Sequence, residues 1–343
     1  MEKVNCAIFG YGYMGEIRHR MINKHPNLEL KKICDNRVEK IPLKEDCELV
    51  ADPRHIIDSE VEAVFICTPN HIIPELAVNC LERGKHVFCE KPPGKTLDDI
   101  KIIRNAELNN PGTKLMFGFN HRYHPSIIKA KSIVDSNRLG SVVALRGLYG
   151  KSGGKNFSES WRNNFSISGG GILLDQGIHM LDLFNLFMGG FKSAKAFLSN
   201  DYWGFDVEDN AVVILKNGDN KLAVLHSSAT FWKHVFQLNI ILDKGYLKIE
   251  GLLSKTGSYG REKLVIGHRE FEDISQAVGN PSEETIYFDK DLSWEIEVDM
   301  FATSILNNMP VNGSNSEDAY NAMKLVHLAY QDSDFPLYYK ELI

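Results

Sequence analysis

The chain has 343 residues, of which 43% are hydrophobic and 24% are charged, and its formal net charge is -6. This composition is typical of a globular protein with room for two domains and excludes a disordered chain. There is no basic run, which argues against nucleic acid and anionic membranes as partners, and the apolar runs are too short to span a bilayer. The first strand-like run follows directly after residue 3 and leaves no room for a signal peptide, so we expect a cytoplasmic protein.

The cysteines support the same expectation. None of them forms a C-x-x-C pair, and several lie in apolar, strand-like runs. All lie in the first third of the chain: Cys6, Cys34, Cys47, Cys67, Cys80 and Cys89. We predict reduced core cysteines of a cytoplasmic protein, and neither disulfides nor zinc ligands.

The first element is a predicted strand that ends in a glycine-rich turn. The apolar run Val4–Phe9 is followed by Gly10, Gly12 and Gly15, which have the spacing G-x-G-x-x-G. In a dinucleotide-binding fold, the first glycine makes a tight turn, the second lets the backbone approach a pyrophosphate, and the third lets the next helix pack on the strand. The glycines alone are equally compatible with a strand-to-helix turn that simply needs glycine.

Strand-like and helix-like segments then alternate through the first third of the chain. The predicted strands cover 4–9, 28–35, 61–68, 85–89 and 115–119, and the predicted helices cover 16–24, 74–82 and 97–107, the last with Thr96 as its N-cap. This alternation predicts an α/β domain over residues 1–120, with a doubly wound parallel Rossmann sheet. Right-handed crossovers place the carboxyl ends of parallel strands at one edge, where ligands bind. Residues at these predicted ends are Gly10, Asp35, Thr68, Glu90 and Asn120.

The pattern changes after about residue 120. Strand-like runs cover 142–149, 207–215, 221–229, 236–242 and 245–250, a single helix is predicted over 171–188, and two helices over 295–307 and 317–331. Gly218 and the Asp-Lys-Gly triplet at 243–245 predict hairpin turns. We therefore expect an α+β domain over 121–343 with a large, mostly antiparallel open sheet, and a C-terminal helix that packs back on the first domain. The uncovered face of such a sheet is a natural surface for a homodimer or homotetramer.

Asp35 makes the glycine turn more specific. It ends the second predicted strand, 20 positions after Gly15, where a dinucleotide fold places the acid that binds the adenosine ribose hydroxyls. An acid at this position repels a 2′-phosphate and favours NAD. Arg37 can instead bind that phosphate, so NADP stays open as the alternative.

The tripeptide Glu90-Lys91-Pro92 is the second motif with a chemical interpretation. A lysine at a strand end in the cofactor crevice can donate a hydrogen bond to a reacting oxygen and stabilise charge there. Glu90 could orient the ammonium group. The alternative is a surface ion pair ahead of a turn.

The third motif lies in the predicted helix 171–188. Asp175 and His179 are four residues apart and share a helical face, with Asp182 close to the same stripe. A histidine beside a carboxylate is a suitable general base near neutral pH. Two alternatives stay open: a core histidine hydrogen-bonded to Asp175, or a metal site built on the pair.

Other polar and aromatic residues are weaker candidates. His121, Tyr123 and His124 can stack on a sugar ring or pack between domains. Trp161 and Arg162 lie in a polar loop before the helix, where the arginine can bind a substrate carboxylate or phosphate, or form an ordinary ion pair.

Four motifs occur in one order along the chain: the glycine turn, T-P-N at 68–70, E-K-P at 90–92, and G-G-G-x-L-x-D-x-G-x-H ending at His179. Further matches lie at 119–123, 161–162, 207–209 and 317–319. Together they resemble the Gfo/Idh/MocA family of NAD(P)-dependent sugar and cyclitol oxidoreductases. Many members have a histidine three places after the asparagine of T-P-N, where this chain has Ile73. That position opens a predicted helix, so we do not expect it to take part in the chemistry.

The resemblance implies roles for individual residues. Lys91 and His179 would be the catalytic pair, Asp175 would support the substrate, and a cis peptide could precede Pro92. Cofactor-binding residues would be Gly10, Gly12, Tyr13, Met14, Gly15, Asp35, Arg37, Thr68, Pro69, Asn70, His71, Glu90, Lys91 and Asn120. Substrate-binding residues would be Lys91, Arg122, Tyr123, Trp161, Arg162, Asp175 and His179.

The predicted function is hydride transfer between NAD(P) and a secondary alcohol or ketone of a sugar, a sugar derivative or a cyclitol. A non-catalytic sensor that reads NAD(P) and a sugar with the same fold is one alternative. A metal-dependent lyase or hydrolase built on Asp175 and His179 is another. The choice among substrates is expected to depend on loops of the second domain.

Overall fold

Two β-sheets organise the chain in the computed structural model, which describes residues 3–41, 47–154, 157–272 and 276–335. The strands are β1 Val4–Phe9, β2 Leu28–Cys34, β3 Glu48–Val50, β4 Ala63–Ile66, β5 His86–Cys89, β6 Leu115–Phe117, β7 Val142–Gly150, β8 Phe191–Ser199, β9 Asn210–Asn217, β10 Leu222–Ser228, β11 Val235–Leu242, β12 Gly245–Glu250, β13 Glu262–His268 and β14 Glu283–Phe288.

The α-helices are distributed over both halves of the chain. They are α1 Tyr13–Lys24, α2 Arg54–Ile57, α3 Ile73–Glu82, α4 Leu97–Asn109, α5 Pro125–Asp135, α6 Phe165–Ser168, α7 Ile178–Phe187, α8 Ser293–Leu306 and α9 Ser316–Asp332. The residues divide into two units. The first comprises Met1–Asn120, Ser166–Gly169 and Trp294–Met323, and the second comprises His121–Phe165, Gly170–Ser293 and Lys324–Ile343.

The sheet of the first unit has the strand order β3-β2-β1-β4-β5-β6, with every pair parallel. This is the order of a doubly wound Rossmann fold, in which the switch point lies between β1 and β4. The prediction of this fold is confirmed. Strand β3 was not predicted, because three residues are too short to show a periodic pattern.

Local signals in the first unit are also confirmed. The Thr96 hydroxyl accepts a hydrogen bond from the Asp99 amide, and the Asp99 carboxylate accepts one from the Thr96 amide, which is a capping box at the start of α4. Ile73 begins α3 and is buried.

Helix α8 belongs to the core of the first unit. The ring of Phe301 packs edge-on against Phe65 and Phe88, at centroid distances of 5.5 and 5.6 Å, and these two rings stack on each other at 5.3 Å. All three side chains are fully buried. A segment distant in sequence thus completes the core beneath β4 and β5.

The sheet of the second unit has the order β14-β13-β12-β11-β7-β10-β9-β8. The pair β7 and β10 is parallel and the other neighbours are antiparallel, which confirms the predicted mostly antiparallel sheet. Helices α5 and α7 pack on one face. Helix α5 and strands β8, β13 and β14 were not predicted, since β8 and β14 are largely exposed and carry no clear alternation.

The single helix predicted over 171–188 is wrong in its detail. Leu173–Gly177 forms a π-helix, and the α-helix α7 begins only at Ile178. A π-turn has more residues than an α-turn, so the i,i+4 geometry assumed for Asp175 and His179 does not apply. Sequence periodicity cannot reveal a π-turn of five residues.

Among the described residues, no helix combines the length and the apolar character that crossing a membrane requires.

Replacing Phe301 by Ala is expected to lower the free energy of unfolding by about 3–5 kcal/mol, because it leaves a cavity in a close-packed cluster. Urea unfolding followed by circular dichroism measures the change. The control is Leu108→Ala in α4, where a side chain that is 74% exposed should change stability by less than about 0.5 kcal/mol. Equal effects of the two variants would contradict the packing role of Phe301.

Candidate active site

The glycine turn of the first unit has two glycines that no other residue can replace without a shift. Gly10 has φ +82°, and a Cβ there would lie 2.8 Å from the Cys67 carbonyl oxygen. A Cβ on Gly15 would lie 2.2 Å from the Gly10 oxygen, so this glycine lets α1 pack against the turn. Gly12 differs, because a Cβ there would meet no atom within 4 Å. The residue is the N-cap of α1, so open space is present at a helix N-terminus that suits a phosphate.

Asp35 lies directly after β2 and beside the glycine turn. Its carboxylate accepts hydrogen bonds from the Tyr11 amide at 2.7 Å and from the amide and Nε of Arg37, both at 2.9 Å. Burial raises the pKa of Asp35, but hydrogen bonds from Arg37 and Tyr11 outweigh that effect and lower it overall. The site therefore presents an ionised acid whose partner arginine is half-exposed.

The residues after β4 offer further polar groups. The Thr68 Oγ1 is buried and has no hydrogen-bond partner among the described residues. Buried hydroxyl groups are normally hydrogen-bonded, so this one is available to a bound ligand. Asn70 donates from Nδ2 to the Ser168 oxygen at 2.7 Å, which fixes the T-P-N turn. With the space at Gly12 and the ionised Asp35, these groups fit a bound dinucleotide.

The remaining predicted cofactor residues occupy different environments in the first unit. Tyr13 and His71 are exposed, Met14 and Pro69 are half-buried, and Asn120 is buried. Their contact with a cofactor stays a prediction.

Lys91 follows β5 and is half-buried, and the Lys91–Pro92 peptide is cis, as the family resemblance implied. Glu90 beside it is buried and accepts a hydrogen bond at 2.7 Å from Nε of Arg18. The fully buried Arg18 also pairs with Glu297 of α8 at 2.9 Å. Sequence reasoning missed Arg18 and Glu297, because their role depends on contacts between distant segments.

In the second unit, the carboxylate of Asp175 accepts hydrogen bonds from Lys151, Gln176 and Arg162. Lys151 Nζ lies 2.8 Å from Oδ2, Gln176 Nε2 lies 3.1 Å from Oδ2, and Arg162 Nε lies 3.3 Å from Oδ1. The Arg162 guanidinium also lies over the ring of Trp161 at 4.5 Å. Lys151 was not predicted, since nothing in its local sequence distinguishes it.

Asp175 and Arg162 line a pocket of the second unit. Its other lining residues include Phe157, Ile172, Phe205 and Asp209. Aromatic side chains and charged groups thus lie side by side in this part of the second unit.

Arg122 is engaged by Asp182 of α7. Its Nε and Nη2 donate to the two carboxylate oxygens at 2.7 and 2.6 Å, and Asp182 is fully buried. Tyr123 beside it is buried as well. This ion pair anchors the 120–123 turn to α7, and the substrate contact expected for Arg122 and Tyr123 stays a prediction.

His179 is buried near the start of α7, with its ring stacked on that of His121. The ring centroids are 3.7 Å apart and the planes differ by 19°. His121 Nε2 lies 2.8 Å from the Tyr149 hydroxyl of β7. The predicted general base therefore has a second histidine against its face.

Glu208 positions the segment that carries Asp175 and His179. Its carboxylate accepts hydrogen bonds from the amides of Gly171 and Leu173 and from the Tyr330 hydroxyl, all at 2.9 Å. A Cβ on Gly171 would lie 1.9 Å from the Glu208 carbonyl oxygen, which explains the last glycine of the G-G-G run. Burial raises the pKa of Glu208 above its usual range.

Comparison with known proteins agrees with both halves of this description. The sequence model of the oxidoreductase family with an NAD-binding Rossmann fold matches residues 4–119, and that of the GFO/IDH/MocA C-terminal domain matches residues 127–248. The chain therefore belongs to the Gfo/Idh/MocA family of oxidoreductases, and its first unit contains an NAD-binding Rossmann domain.

Individual relatives are similar over part of their length. The chain is 30% identical to levoglucosan dehydrogenase of Pseudarthrobacter phenanthrenivorans over 215 residues, which are 58% of this chain and 55% of that protein. It is 28% identical to myo-inositol 2-dehydrogenase of Thermotoga maritima over 236 residues, which are 66% and 68% of the two chains. A solved structure of levoglucosan dehydrogenase with NADH and L-sorbose shares the fold, with a TM-score of 0.81, 21% identity, and coverage of 98% of this chain and 100% of that one.

Replacing Gly12 or Gly15 by Ala is expected to separate cofactor binding from folding. Gly12→Ala fills open space at the helix N-terminus and should weaken NADH binding about tenfold or more, with the melting temperature changed by less than about 2 °C. Gly15→Ala meets the Gly10 oxygen and should lower the melting temperature clearly. NADH fluorescence titration and differential scanning fluorimetry measure the two effects. Normal NADH affinity in Gly12→Ala would contradict the pyrophosphate assignment.

Proposed function

We propose that this protein transfers a hydride between NAD and a secondary alcohol or ketone carbon of a sugar, a sugar derivative or a cyclitol. The observation that carries the proposal is the glycine turn beside the ionised Asp35, in a parallel sheet in which Lys91 lies two residues after the end of β5. The relatives named as dehydrogenases of levoglucosan and myo-inositol support the substrate class.

Residues 1–120 would bind the cofactor. The first turn of α1 would hold the pyrophosphate, Asp35 the ribose hydroxyls, and Thr68 the nicotinamide side. The cofactor, when bound, supplies the hydride acceptor or donor at C4 of its nicotinamide ring. An ionised Asp35 disfavours a 2′-phosphate, and Arg37 is paired with Asp35, so NAD is preferred and NADP is the alternative.

Lys91 and residues of the segment 121–343 would bind the substrate. Lys91 donates a hydrogen bond to the reacting oxygen, and His179 takes the hydroxyl proton during oxidation or returns it during reduction. Asp175, steadied by Lys151 and Arg162, accepts hydrogen bonds from further substrate hydroxyls, and Trp161 provides an apolar surface. The same residues serve both directions of the reaction.

A panel of substrates tests the function itself. Purified enzyme is assayed by absorbance at 340 nm, with NAD and NADP, on free sugars, anhydrosugars, sugar phosphates, nucleotide-linked sugars and inositols. Turnover of at least one polyol with preference for NAD is expected. Tight NADH binding with no turnover on the whole panel would favour a non-catalytic sensor.

Lys91→Ala is expected to lower kcat by about a thousandfold, because a charged donor to the developing oxyanion is lost. The affinity for NADH should stay within about threefold, since that binding depends mainly on the pyrophosphate and ribose contacts. Steady-state kinetics and NADH titration measure the two quantities. Lys101→Ala, at an exposed lysine of α4, is the control and should behave as wild type. Unchanged turnover in Lys91→Ala would rule out the assignment.

The open sheet face would form a homodimer or homotetramer, in a cytoplasmic protein. Every second residue of β9 and β10 points away from the helix-covered face, and Ile214 and Leu222 on the outer face are 41% and 47% exposed. Apolar residues on an uncovered sheet favour self-association. All six cysteines are unpaired thiols, which fits a reducing compartment, although Cys47 and Cys67 are only partly buried rather than core residues.

The double variant Ile214→Glu/Leu222→Glu is expected to convert the oligomer to a smaller species, because charges placed on the paired faces repel. Light scattering coupled to size exclusion measures the mass. Leu108→Glu, an exposed site of α4 in the first unit, is the matched control and should leave the mass unchanged. An unaltered oligomer in the double variant would place the interface elsewhere.

A further inference from the structure

His121, whose ring stacks on that of His179, has no role in the chemistry described so far. Both side chains are buried, at 5% and 4% exposure, and their ring planes are nearly parallel at a centroid distance of 3.7 Å. Two imidazoles at this distance are in full van der Waals contact. His121 therefore limits the orientations that the ring of His179 can adopt.

His121 is itself held in place by residues of the sheet. The Tyr149 hydroxyl lies 2.8 Å from its Nε2, and the rings of Tyr149 and Phe236 lie 5.4 and 5.8 Å from its centroid. Burial and the neighbouring Tyr259 raise the pKa of Tyr149 well above its usual range, so this hydroxyl keeps its proton. The second histidine is thus fixed between β7, β11 and the helix that carries His179.

The charged and titratable groups around the pair are mostly engaged with one another. His124, whose ring centroid lies 5.6 Å from that of His121, pairs with Glu262. Arg122, beside His121 in sequence, pairs with Asp182. Among the described residues, the charged and titratable groups of the packed elements include Arg122, His124, Tyr149, Asp175, Asp182, Tyr259 and Glu262.

We propose that His121 is a positioning residue that fixes the ring of His179 and couples to it electrostatically, so that the stacked pair holds one proton and resists a second. Its catalytic consequence rests on the proposed function, in which His179 is the general base. Two imidazolium rings in contact repel each other, and this repulsion separates the two protonation steps.

The proton transfer in the proposed reaction depends on the protonation state of the histidine pair. During oxidation the substrate O–H bond breaks, an N–H bond forms on His179, and the hydride leaves from the carbon to the cofactor. His121 must be neutral at that moment for His179 to accept the proton. The ability of His179 to accept a proton thus depends on the protonation state of His121, which need not touch the substrate.

Substitutions of His121 separate the two parts of the proposal. His121→Phe keeps a flat ring for stacking but cannot titrate, whereas His121→Ala removes both properties. The control is His226→Phe, a histidine of β10 on the outer face of the sheet, where it contacts Asn210.

Histidine titration by NMR tests the coupling without any need for turnover. The full-length protein is labelled with ¹⁵N-histidine and titrated between pH 5 and 9. In the wild type, we expect the two rings to titrate in two steps separated by about one pH unit or more. His121→Phe should leave a single step for His179, and His226→Phe should leave both steps in place. A titration of His179 that is the same in the wild type and in His121→Phe would overturn the coupling.

Steady-state kinetics test the positioning. His121→Ala should lower kcat by about 10- to 100-fold, since a misplaced base loses near-attack geometry, with KM and NADH affinity within about twofold of wild type. His121→Phe should restore kcat to within about fivefold of wild type and move the acidic limb of the pH–kcat profile. Failure of Phe to restore kcat in a folded variant would overturn the positioning role. Coupled titration in a wild type that turns over no substrate would leave the pairing established and remove the proposed function instead.

Discussion

The buried ion pairs of Arg18 connect three elements on which the cofactor side of this enzyme depends. The guanidinium is fully buried, pairs with Glu90 after β5 and with Glu297 in α8, and lies over the ring of Phe88 at 4.3 Å. Burial lowers the pKa of Arg18, but the two carboxylates outweigh that effect and keep it charged. Loss of one partner would leave a buried, uncompensated charge, which proteins tolerate poorly. Since α1 begins at the glycine turn and Glu90 directly precedes Lys91, the ion pairs of Arg18 connect the glycine turn to the segment that carries Lys91.

In the second unit, the buried carboxylate of Glu208 supports the segment that carries Asp175 and His179. Asp175 and His179 sit on a π-turn and the helix after it, and such a turn needs external support at its start. Glu208 provides it by accepting two backbone amides and the Tyr330 hydroxyl in a buried position. Burial raises the pKa of Glu208, and its hydrogen bonds with Gly171, Leu173 and Tyr330 offset part of that effect. The chemistry of the second unit is thus positioned by a residue remote in sequence from the helix.

Local sequence patterns predicted the elements with strong local signals. The bounds of β1 and β12 were predicted correctly, and the structure confirms Thr96 as the N-cap of α4. The elements that escaped prediction are short, largely exposed or interrupted, such as β3, β14 and the π-turn. Side chains that act through partners far along the chain also escaped it, notably Arg18, Lys151 and the stacking role of His121.

The amino-acid sequence by itself determined the Rossmann topology, the glycine turn with its acid, and the family to which the chain belongs. These features depend on residue types at fixed spacing, and the residues of each motif lie within about 20 positions of one another. The tertiary structure decided how the site residues are paired: Asp35 with Arg37, Asp175 with Lys151, and His179 with His121. Except for Asp35 and Arg37, these partners lie tens of residues apart. Their contacts arise from sheet and helix packing, which no local pattern encodes.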